Sequence, residues 1–564
     1  MVGCREWMAR GLAAAAALAV CGLLTSCVSL QFSSPSDYVG PAKTPLPPLP
    51  GATLPAEPVK VEPGKTEPGK TTPGTPETCP ILFEEPKGEP IIVSVTQAIM
   101  VSLGNNQALV VEKFNPEIFR TFEQQQRAVF DPNLRAGASA NRRLSQANGV
   151  PGTSLSKLNS AEVGATEFLP TGTTIDVAGT TDGTPGPFGG DDFFASRVGM
   201  TVTQALLRGF GMDVNLANLR QARIDTLSSQ YELRGFAESL VAQTEEAYWN
   251  YALAQRQIEI VNESLALAEQ QLKETDERIR VGKLAEIERV TAEAEVATRR
   301  ENLINARSTM LKARLTLLRL LNPTKTEFWT RDVVIETPPG IPDVQLEDIA
   351  AHAALAQRMR PDLNQARLQV QRGDLEIVKT KNGLLPKMDL FMTLGKTGYA
   401  DTFRESWRQL DDKGYDLLVG VNIEYPLLNR SAQALNQRAR LSRDQAIESV
   451  GNLAQLVELD VRTAYIEVTR AREQVAATAV TKRLQEEKVR AEMEKFRVGK
   501  STSLLVAQAQ RDLLQSQISQ VQAVVGYLNA LVEFYRLEGS LLERRGVACP
   551  GREPVEMPKE KKKL

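Results

Sequence analysis

Few residues of this chain are of the types that carry out chemistry. The 564 residues include a single histidine, His352, which lies in a helical stretch and is interpreted as a surface or packed residue. Acid-base catalysis or metal binding would need partner residues at suitable spacings, and the sequence offers none. It also contains no phosphate-binding glycine loop and no nucleophile with a neighbouring base. The sequence therefore predicts a protein that is not an enzyme and has no metal or other cofactor.

One cysteine near the start has a clear chemical role. Arg5 and Arg10 precede an apolar run, residues 11–24, that is too short to span a bilayer, and Thr25 and Ser26 then lead to Cys27. This order is typical of a bacterial lipoprotein signal. We therefore predict a signal peptide at residues 1–27 and a lipid on Cys27. The alternative is an ordinary signal peptide that is cleaved nearby.

Two further cysteines flank the folded part of the chain. Residues 28–90 are rich in Pro, Gly, Thr, Lys and Glu, a composition that cannot bury a core and is typical of a linker. Cys79 lies near the end of this linker, and Cys549 follows the last helical stretch. In an oxidising compartment the two thiols could form a disulfide, or both could stay free. The sequence leaves these two alternatives open.

The elements between these cysteines form a tandem duplication, seen best in a four-residue motif that recurs 217 residues further on. Earlier parts of the halves match at a spacing of 254 residues, so the first half carries 37 more residues. We predict repeats at 91–322 and 346–545, a linker at 323–345 and a tail at 546–564. The motif copies are Arg280, Val281, Gly282, Lys283 and Arg497, Val498, Gly499, Lys500.

Each motif interrupts a very long helical pattern. Residues 216–280 and 432–497 contain no proline and one glycine each, and the pattern resumes at 284–321 and 501–537. The glycine of each motif favours the left-handed backbone that ends a helix. We therefore predict that each motif is the tip of a hairpin of two antiparallel helices, about 98 Å long. Helices of this length imply a coiled-coil-like assembly.

Four short stretches alternate with a period of two, which is typical of β-strands. A helical pattern precedes each pair, at 95–130 and 346–385. The strands could cover a soluble core or face lipid. Lipid is favoured because the mature sequence has no apolar run long enough for a membrane helix. Four strands are too few to close a membrane barrel, so subunits must share it. The stretches contain Leu134, Val198, Met388 and Leu417.

Most of the 37 additional residues lie at 143–196, a segment rich in Gly, Thr, Ser and Asp. We interpret it as an enlarged external loop or a supplementary hairpin, with strand character at 169–177. A small inserted domain is the less favoured alternative because few large apolar residues are present. The tail ends in three lysines, 561–563, and is interpreted as solvated, with no assigned role.

The order and spacing of these features resemble those of a TolC-type outer-membrane efflux factor over residues 91–545. The resemblance implies a membrane α+β protein, built as a tandem-repeat protomer. Four strands per chain would enter a shared trimeric 12-stranded outer-membrane β-barrel, and long antiparallel helices would form a periplasmic α-helical barrel. The motifs that carry the resemblance are Gln204 to Gly211, Ala247 to Trp249, Arg360 to Leu363, and the two tips.

By the same resemblance, both tips would bind a periplasmic adaptor that links the duct to an inner-membrane transporter. Helix-turn geometry alone would explain the glycines but not the repeated Arg and Lys. Some relatives close the tunnel with an acidic ring, but the matching positions here are Leu505 and Gln508. Glu286 and Glu288, after the first tip, could supply charge instead. A tunnel constriction is expected at these four residues.

The class of partner can be narrowed further. A formal net charge of −2 gives no reason to expect nucleic acid. The predicted partners are two further copies of the chain, outer-membrane lipid, the adaptor and the transporter. The alternative is a coiled-coil structural lipoprotein of the cell envelope without a pore, which would need no lipid-facing strands. The cargo cannot be read from the sequence.

Overall fold

The computed structural model describes residues 90–146, 153–184, 193–322, 328–342, 346, 348–411 and 414–557. The two predicted repeats are present, and each runs from paired helices through β-strands to two long helices. Among the described residues, no helix is both long and apolar enough to cross a membrane. The α-helices of more than four residues are α1 Val95–Asn105, α2 Gln107–Arg127, α3 Ala217–Arg280, α4 Ile287–Leu321, α5 Ile349–Met359, α6 Pro361–Asn382, α7 Phe403–Arg408, α8 Arg430–Arg497 and α9 Ser503–Glu538.

Each repeat begins with two helices where the sequence pattern predicted one. In the first repeat, Asn106 has extended backbone, and its side-chain oxygen accepts hydrogen bonds from the Ala108 and Leu109 amides at 3.0 and 3.3 Å. This cap starts a new helix. In the second repeat Pro361 opens α6, and Arg360 is extended because the residue before a proline avoids the helical region. Local side-chain chemistry therefore divides both helical stretches.

The long helices are the predicted rods. Helix α3 has 64 residues and α8 has 68, which correspond to about 96 and 102 Å. Along α8, buried residues recur at alternating intervals of four and three, the spacing of a coiled-coil seam. Small and β-branched side chains at these positions allow close helix packing. The seam residues are Val457, Val461, Ala464, Val468, Ala471 and Val475.

One antiparallel sheet contains all the long strands, in the order β2-β3-β4-β5-β7-β8. The four predicted strands are present as β2, β5, β7 and β8, but the expected number of four is wrong because the inserted segment supplies β3 and β4. Its Gly, Thr and Ser content suggested a loop, yet both strands are fully paired with their neighbours. The strands are β1 Ile91–Val93, β2 Asn133–Gln146, β3 Thr153–Leu169, β4 Thr173–Thr184, β5 Phe193–Ala205, β6 Val333–Ile335, β7 Lys387–Ala400 and β8 Asp416–Glu424.

The strand character predicted at 169–177 is confirmed in part: Leu169 ends β3 and residues 173–177 begin β4, whereas residues 170–172 form the turn between the two strands. Gly172 has a φ of +89°, and a Cβ there would lie 2.3 Å from the Gly209 carbonyl oxygen. Only glycine fits such a site. The inserted segment is therefore a hairpin, as one of the two favoured interpretations predicted, and it lies within the sheet.

A two-stranded parallel sheet joins the start of the folded part to the inter-repeat linker. Strand β1 pairs with β6, which lies inside the predicted linker 323–345. The Tyr248 hydroxyl donates to the Val93 carbonyl at 3.2 Å, and the Tyr251 hydroxyl donates to the Val333 carbonyl at 2.9 Å. Two tyrosines of α3 thus hold both strands against the rod.

Hydrogen bonds hold the tail against the body as far as residue 556, and most of residues 551–557 remain exposed. The Tyr231 hydroxyl donates to the Glu553 carbonyl, and Gln371 donates to the Glu556 carbonyl at 2.9 Å. The lysines at 561–563 lie outside the described residues. Residues 553–556 thus contact α3 of the first repeat and α6 of the second.

Candidate functional site

The first tip is a tight turn between α3 and α4. Gly282 has a φ of +71°, and its amide donates to the Ile279 carbonyl at 2.9 Å. The Lys283 amide donates to the Arg278 carbonyl at 2.9 Å. These bonds satisfy carbonyls that the end of α3 would otherwise leave unpaired. A Cβ on Gly282 would meet nothing within 4 Å, so backbone conformation alone requires glycine here.

The second tip repeats this geometry between α8 and α9. Gly499 has a φ of +75°, and its amide donates to the Phe496 carbonyl at 3.1 Å. The Lys500 amide donates to the Lys495 carbonyl at 2.8 Å. Thr502 then caps α9 through its side-chain oxygen. Both predicted tips therefore have the same backbone structure.

The valine of each tip points away from its own chain. Val281 is 61% exposed and Val498 is 68% exposed, although buried positions are usual for valine. The basic residues are exposed as well, and Arg497 contacts Glu494 of its own helix at 2.9 Å. Each tip thus presents one apolar side chain between basic ones.

Side chains link the two tips to each other. The Arg278 guanidinium lies over the Phe496 ring, 4.8 Å from its centroid, which joins the ends of α3 and α8. Between α4 and α9, Arg511 forms an ion pair with Glu295, with 2.8 Å between Nε and the carboxylate. Neither contact is predicted by the sequence pattern. The only sequence signal is that the repeats differ here, since the position matching Arg511 in the first repeat is Ala294.

The expected constriction residues separate into two groups. Leu505 and Gln508 lie three residues apart on α9 and are exposed, so they share one helix face. Glu286 is also exposed, whereas Glu288 accepts a hydrogen bond from the Ser503 hydroxyl of the other repeat. Glu288 therefore connects the tips, and the other three remain available to face a tunnel.

The sheet has one apolar face and one polar face. Residues directly opposite each other in antiparallel strands share a face. One such row crosses all six strands, and its large side chains are exposed. The row on the other face that contains Thr201 and Thr393 is mostly polar, and these two hydroxyls lie 3.0 Å apart. The apolar row consists of Leu134, Ala165, Val177, Met200, Leu394 and Leu417.

Buried charges lie where α3 meets the chain after α9. The Arg234 guanidinium is 1% exposed and forms ion pairs with Glu238 at 3.1 Å and with Glu543 at 2.6 Å. Burial raises the pKa of Glu238 to about 7, although the nearby Arg234 opposes the rise. His352 is buried too, with its Nδ1 2.5 Å from Glu538. The histidine is therefore a packed residue, consistent with its interpretation.

Not all predicted chemical sites lie within the described residues. Cys27 and Cys79 do not, so the lipid and the disulfide remain predictions. Cys549 is half-buried, and burial raises the pKa of its thiol. Within the described ranges, no group of three or more His, Cys, Asp or Glu residues is arranged to hold a metal ion.

Comparison with solved structures identifies chains of the same fold. The CmeC outer-membrane channel of Campylobacter jejuni superposes with a TM-score of 0.59 at 14% identity, over 85% of this chain and 94% of that chain. The open-state MtrE outer-membrane channel of Neisseria gonorrhoeae superposes with a TM-score of 0.58 at 17% identity, over 79% of this chain and 89% of that chain. The outer-membrane protein VceC of Vibrio cholerae superposes with a TM-score of 0.59 at 14% identity, over 79% of this chain and 96% of that chain.

No curated protein matches the sequence significantly. A family of proteins does match, under the description outer membrane efflux protein, over residues 195–323 and 352–540. The matched segments cover more than half of the chain and include both rods and both tips. The chain therefore belongs to the outer membrane efflux protein family.

Proposed function

We propose that this protein is the exit duct of a tripartite efflux or type I secretion system. Three copies would share one barrel in the outer membrane, and their helices would form a tunnel in the periplasm. The duct is passive. Energy for transport comes from an inner-membrane transporter, and a periplasmic adaptor connects the two.

The open sheet supports assembly from several copies. Six strands per chain fall short of the eight that the smallest outer-membrane barrels need. Strands β2 and β8 are the two edges of the sheet, and each pairs with only one strand. In a ring of copies, β8 of one chain pairs with β2 of the next, and the apolar face meets lipid.

The exposed valines are the observation that favours adaptor docking at the tips. The turn geometry needs Gly282 and Gly499, but it needs neither Val281 nor Val498. Two equivalent apolar side chains, each between basic residues, suit a partner that offers small apolar residues and acidic groups. A helical hairpin could supply both.

Contacts between the tips offer a way to control opening. The pair Glu295–Arg511 and the stack of Arg278 on Phe496 both join the first repeat to the second. An adaptor that separates the two hairpins must break these contacts. Adaptor binding at both tips would compensate for their loss.

A photo-crosslinking experiment tests the docking assignment. A photoreactive amino acid at position 281 or 498 is expected to capture the periplasmic adaptor encoded with the cognate transporter. Position 459 serves as the control, because Leu459 is equally exposed but lies about 57 Å along α8 from the tip. If the adaptor is captured at position 459 and not at the tips, the docking assignment is wrong.

A second experiment separates the duct from the non-pore alternative. The purified protein is reconstituted in planar bilayers and its mass in detergent is measured. Trimers that conduct ions support the duct, whereas a monomer without conductance supports a structural lipoprotein. Mass spectrometry of the mature N-terminus determines whether Cys27 carries the lipid that would anchor the chain to the outer membrane.

A further inference from the structure

We propose that the shared barrel has eighteen strands, six from each copy, and that the inserted hairpin β3–β4 forms part of its wall. This inference rests on the proposed trimeric duct and departs from the twelve strands that four strands per chain would give. The hairpin lies between β2 and β5 in the sheet. If it left the wall, β2 would lose its only pairing among the described residues.

The two strands of the hairpin are about as long as the other strands of the sheet. Eleven residue pairs join β3 to β4, and twelve join β4 to β5, close to the 9–11 residues per strand that span an outer membrane. The pairs of β5 with β7 cover the same rows. The inserted strands therefore cross the same layer as the strands that both repeats supply.

Most side chains of the hairpin follow the same division into two faces, and Glu167 of β3, which pairs with Ile175, is the charged exception on the apolar face. Val163 on β3 and Val177 on β4 lie on the apolar face and are exposed in the single chain. On the other face, the Arg135 guanidinium of β2 binds Glu162 at 2.7 Å and Asp176 at 2.5 Å. Charged side chains inside a membrane barrel face its water-filled interior. The hairpin thus has the pattern of a barrel wall between lipid and water.

A short helix of the second repeat contacts the inserted hairpin. Helix α7, from the loop between β7 and β8, lies against β4, β5 and β7. The Trp407 indole N–H donates to the Thr181 hydroxyl at 3.0 Å, and its ring would lie 3.0 Å from a Cβ on Gly179. The Ser196 hydroxyl lies 2.6 Å from that of Ser406 and 2.9 Å from that of Thr181. Contacts from α7 therefore reach the inserted strand β4.

Strand number sets the width of the barrel. With strands about 4.8 Å apart and tilted by about 40°, eighteen strands give a diameter of about 36 Å between backbones and twelve give about 24 Å. The outer-membrane section would then have roughly twice the cross-section of a twelve-stranded barrel. An even number of strands from each copy also lets β8 meet the next β2 in antiparallel orientation.

Distances between spin labels test the strand number. Val419 lies on the apolar face of β8 and is exposed, so a label on a V419C variant should leave the fold intact. Cys79 and Cys549 are replaced by serine, and the same protein without V419C gives the background. Equivalent positions on a ring of three copies lie about 31 Å apart for eighteen strands and about 21 Å apart for twelve.

A variant without residues 147–192 is the matched control. It joins β2 to β5, whose directions remain antiparallel, and its distance should shorten by about 10 Å. For the full-length trimer, the longer distance supports the proposal, and the shorter one overturns it while the duct itself stands. A monomer with no distance between copies overturns both the duct and the barrel. The full-length measurement decides even if the shortened variant does not fold.

Discussion

Substituting the glycine at the second tip tests whether backbone geometry positions the docking residues. Gly499 has a φ of +75°, and a Cβ there would meet nothing within 4 Å, so a Gly499→Val change introduces backbone strain without a clash at the Cβ. Left-handed backbone costs an ordinary residue about 1–2 kcal/mol, and the upper end applies to a β-branched one. The two hydrogen bonds donated by Gly499 and Lys500 should therefore open more often. A cost of about 2 kcal/mol corresponds to roughly a 30-fold increase in the equilibrium constant for opening these hydrogen bonds.

Hydrogen exchange of the assembled protein measures this effect. The amides of Gly499 and Lys500 should exchange roughly 30-fold faster in Gly499→Val, while the middle of α8 stays protected. Gly499→Asn should change less, since asparagine tolerates left-handed backbone. Gly451→Ala is the control, because Gly451 lies inside α8 with open space around it, and this change should stabilise the helix by about 0.5–1 kcal/mol. Unchanged exchange at the tip in Gly499→Val would show that the turn does not need glycine at this position.

Three further predictions concern the pH dependence, the link between tips and a close backbone contact. The folded pKa of Glu238, about 7, lies above its ordinary value of 4.5, so the folded state holds an extra proton between these pH values and stability falls as pH rises through them. Glu238→Gln should remove this fall, measured as urea midpoints at pH 5 and 8; an identical fall in both proteins would contradict it. Arg511→Ala leaves the Glu295 carboxylate, 13% exposed, with Arg299 at 3.5 Å as its remaining ion-pair partner. The contact between the tips should then be weaker by about 1–2 kcal/mol, so thiol labelling of an S503C variant should become faster. Arg470→Ala, which breaks exposed contacts with Glu467 and Gln474 within α8, should not change labelling. Gly539→Ala should lower the melting temperature, because Gly539 has a φ of +74° and its Cβ would lie 3.1 Å from the Arg360 amide nitrogen; Gly526→Ala, in open space, should not lower it.

Features that depend on local periodicity could be predicted from the sequence. The rods follow from long stretches without proline, and both tips follow from a glycine between two helical patterns. Strands β2, β5, β7 and β8 follow from alternation. In each case, neighbours along the chain determine the structure, so the sequence contains the whole signal.

Features that depend on distant partners could be predicted only in part, as the inserted segment shows, for which a loop and a supplementary hairpin were both expected. Strands β3 and β4 contain few large apolar residues, and their composition is typical of a loop. The alternation of Ile175 and Val177 with polar residues was the available signal, but only pairing with β5 makes it decisive. The link of Glu295 to Arg511 joins residues 216 positions apart where the repeats differ. Duplication therefore predicted the plan shared by the repeats and not the contacts between them.

The segment after Cys549 joins both repeats late in the synthesis of the chain. Its hydrogen bonds reach Tyr231 on α3 of the first repeat and Arg367 and Gln371 on α6 of the second. The segment after Cys549 is synthesised after both repeats, so these hydrogen bonds between it and the two halves form only once nearly the whole polypeptide has been made. A chain truncated before residue 549 would lack these bonds, but β5 would still pair with β7 and the buried core shared by both repeats would still join the halves, so the last segment reinforces a connection that is already made.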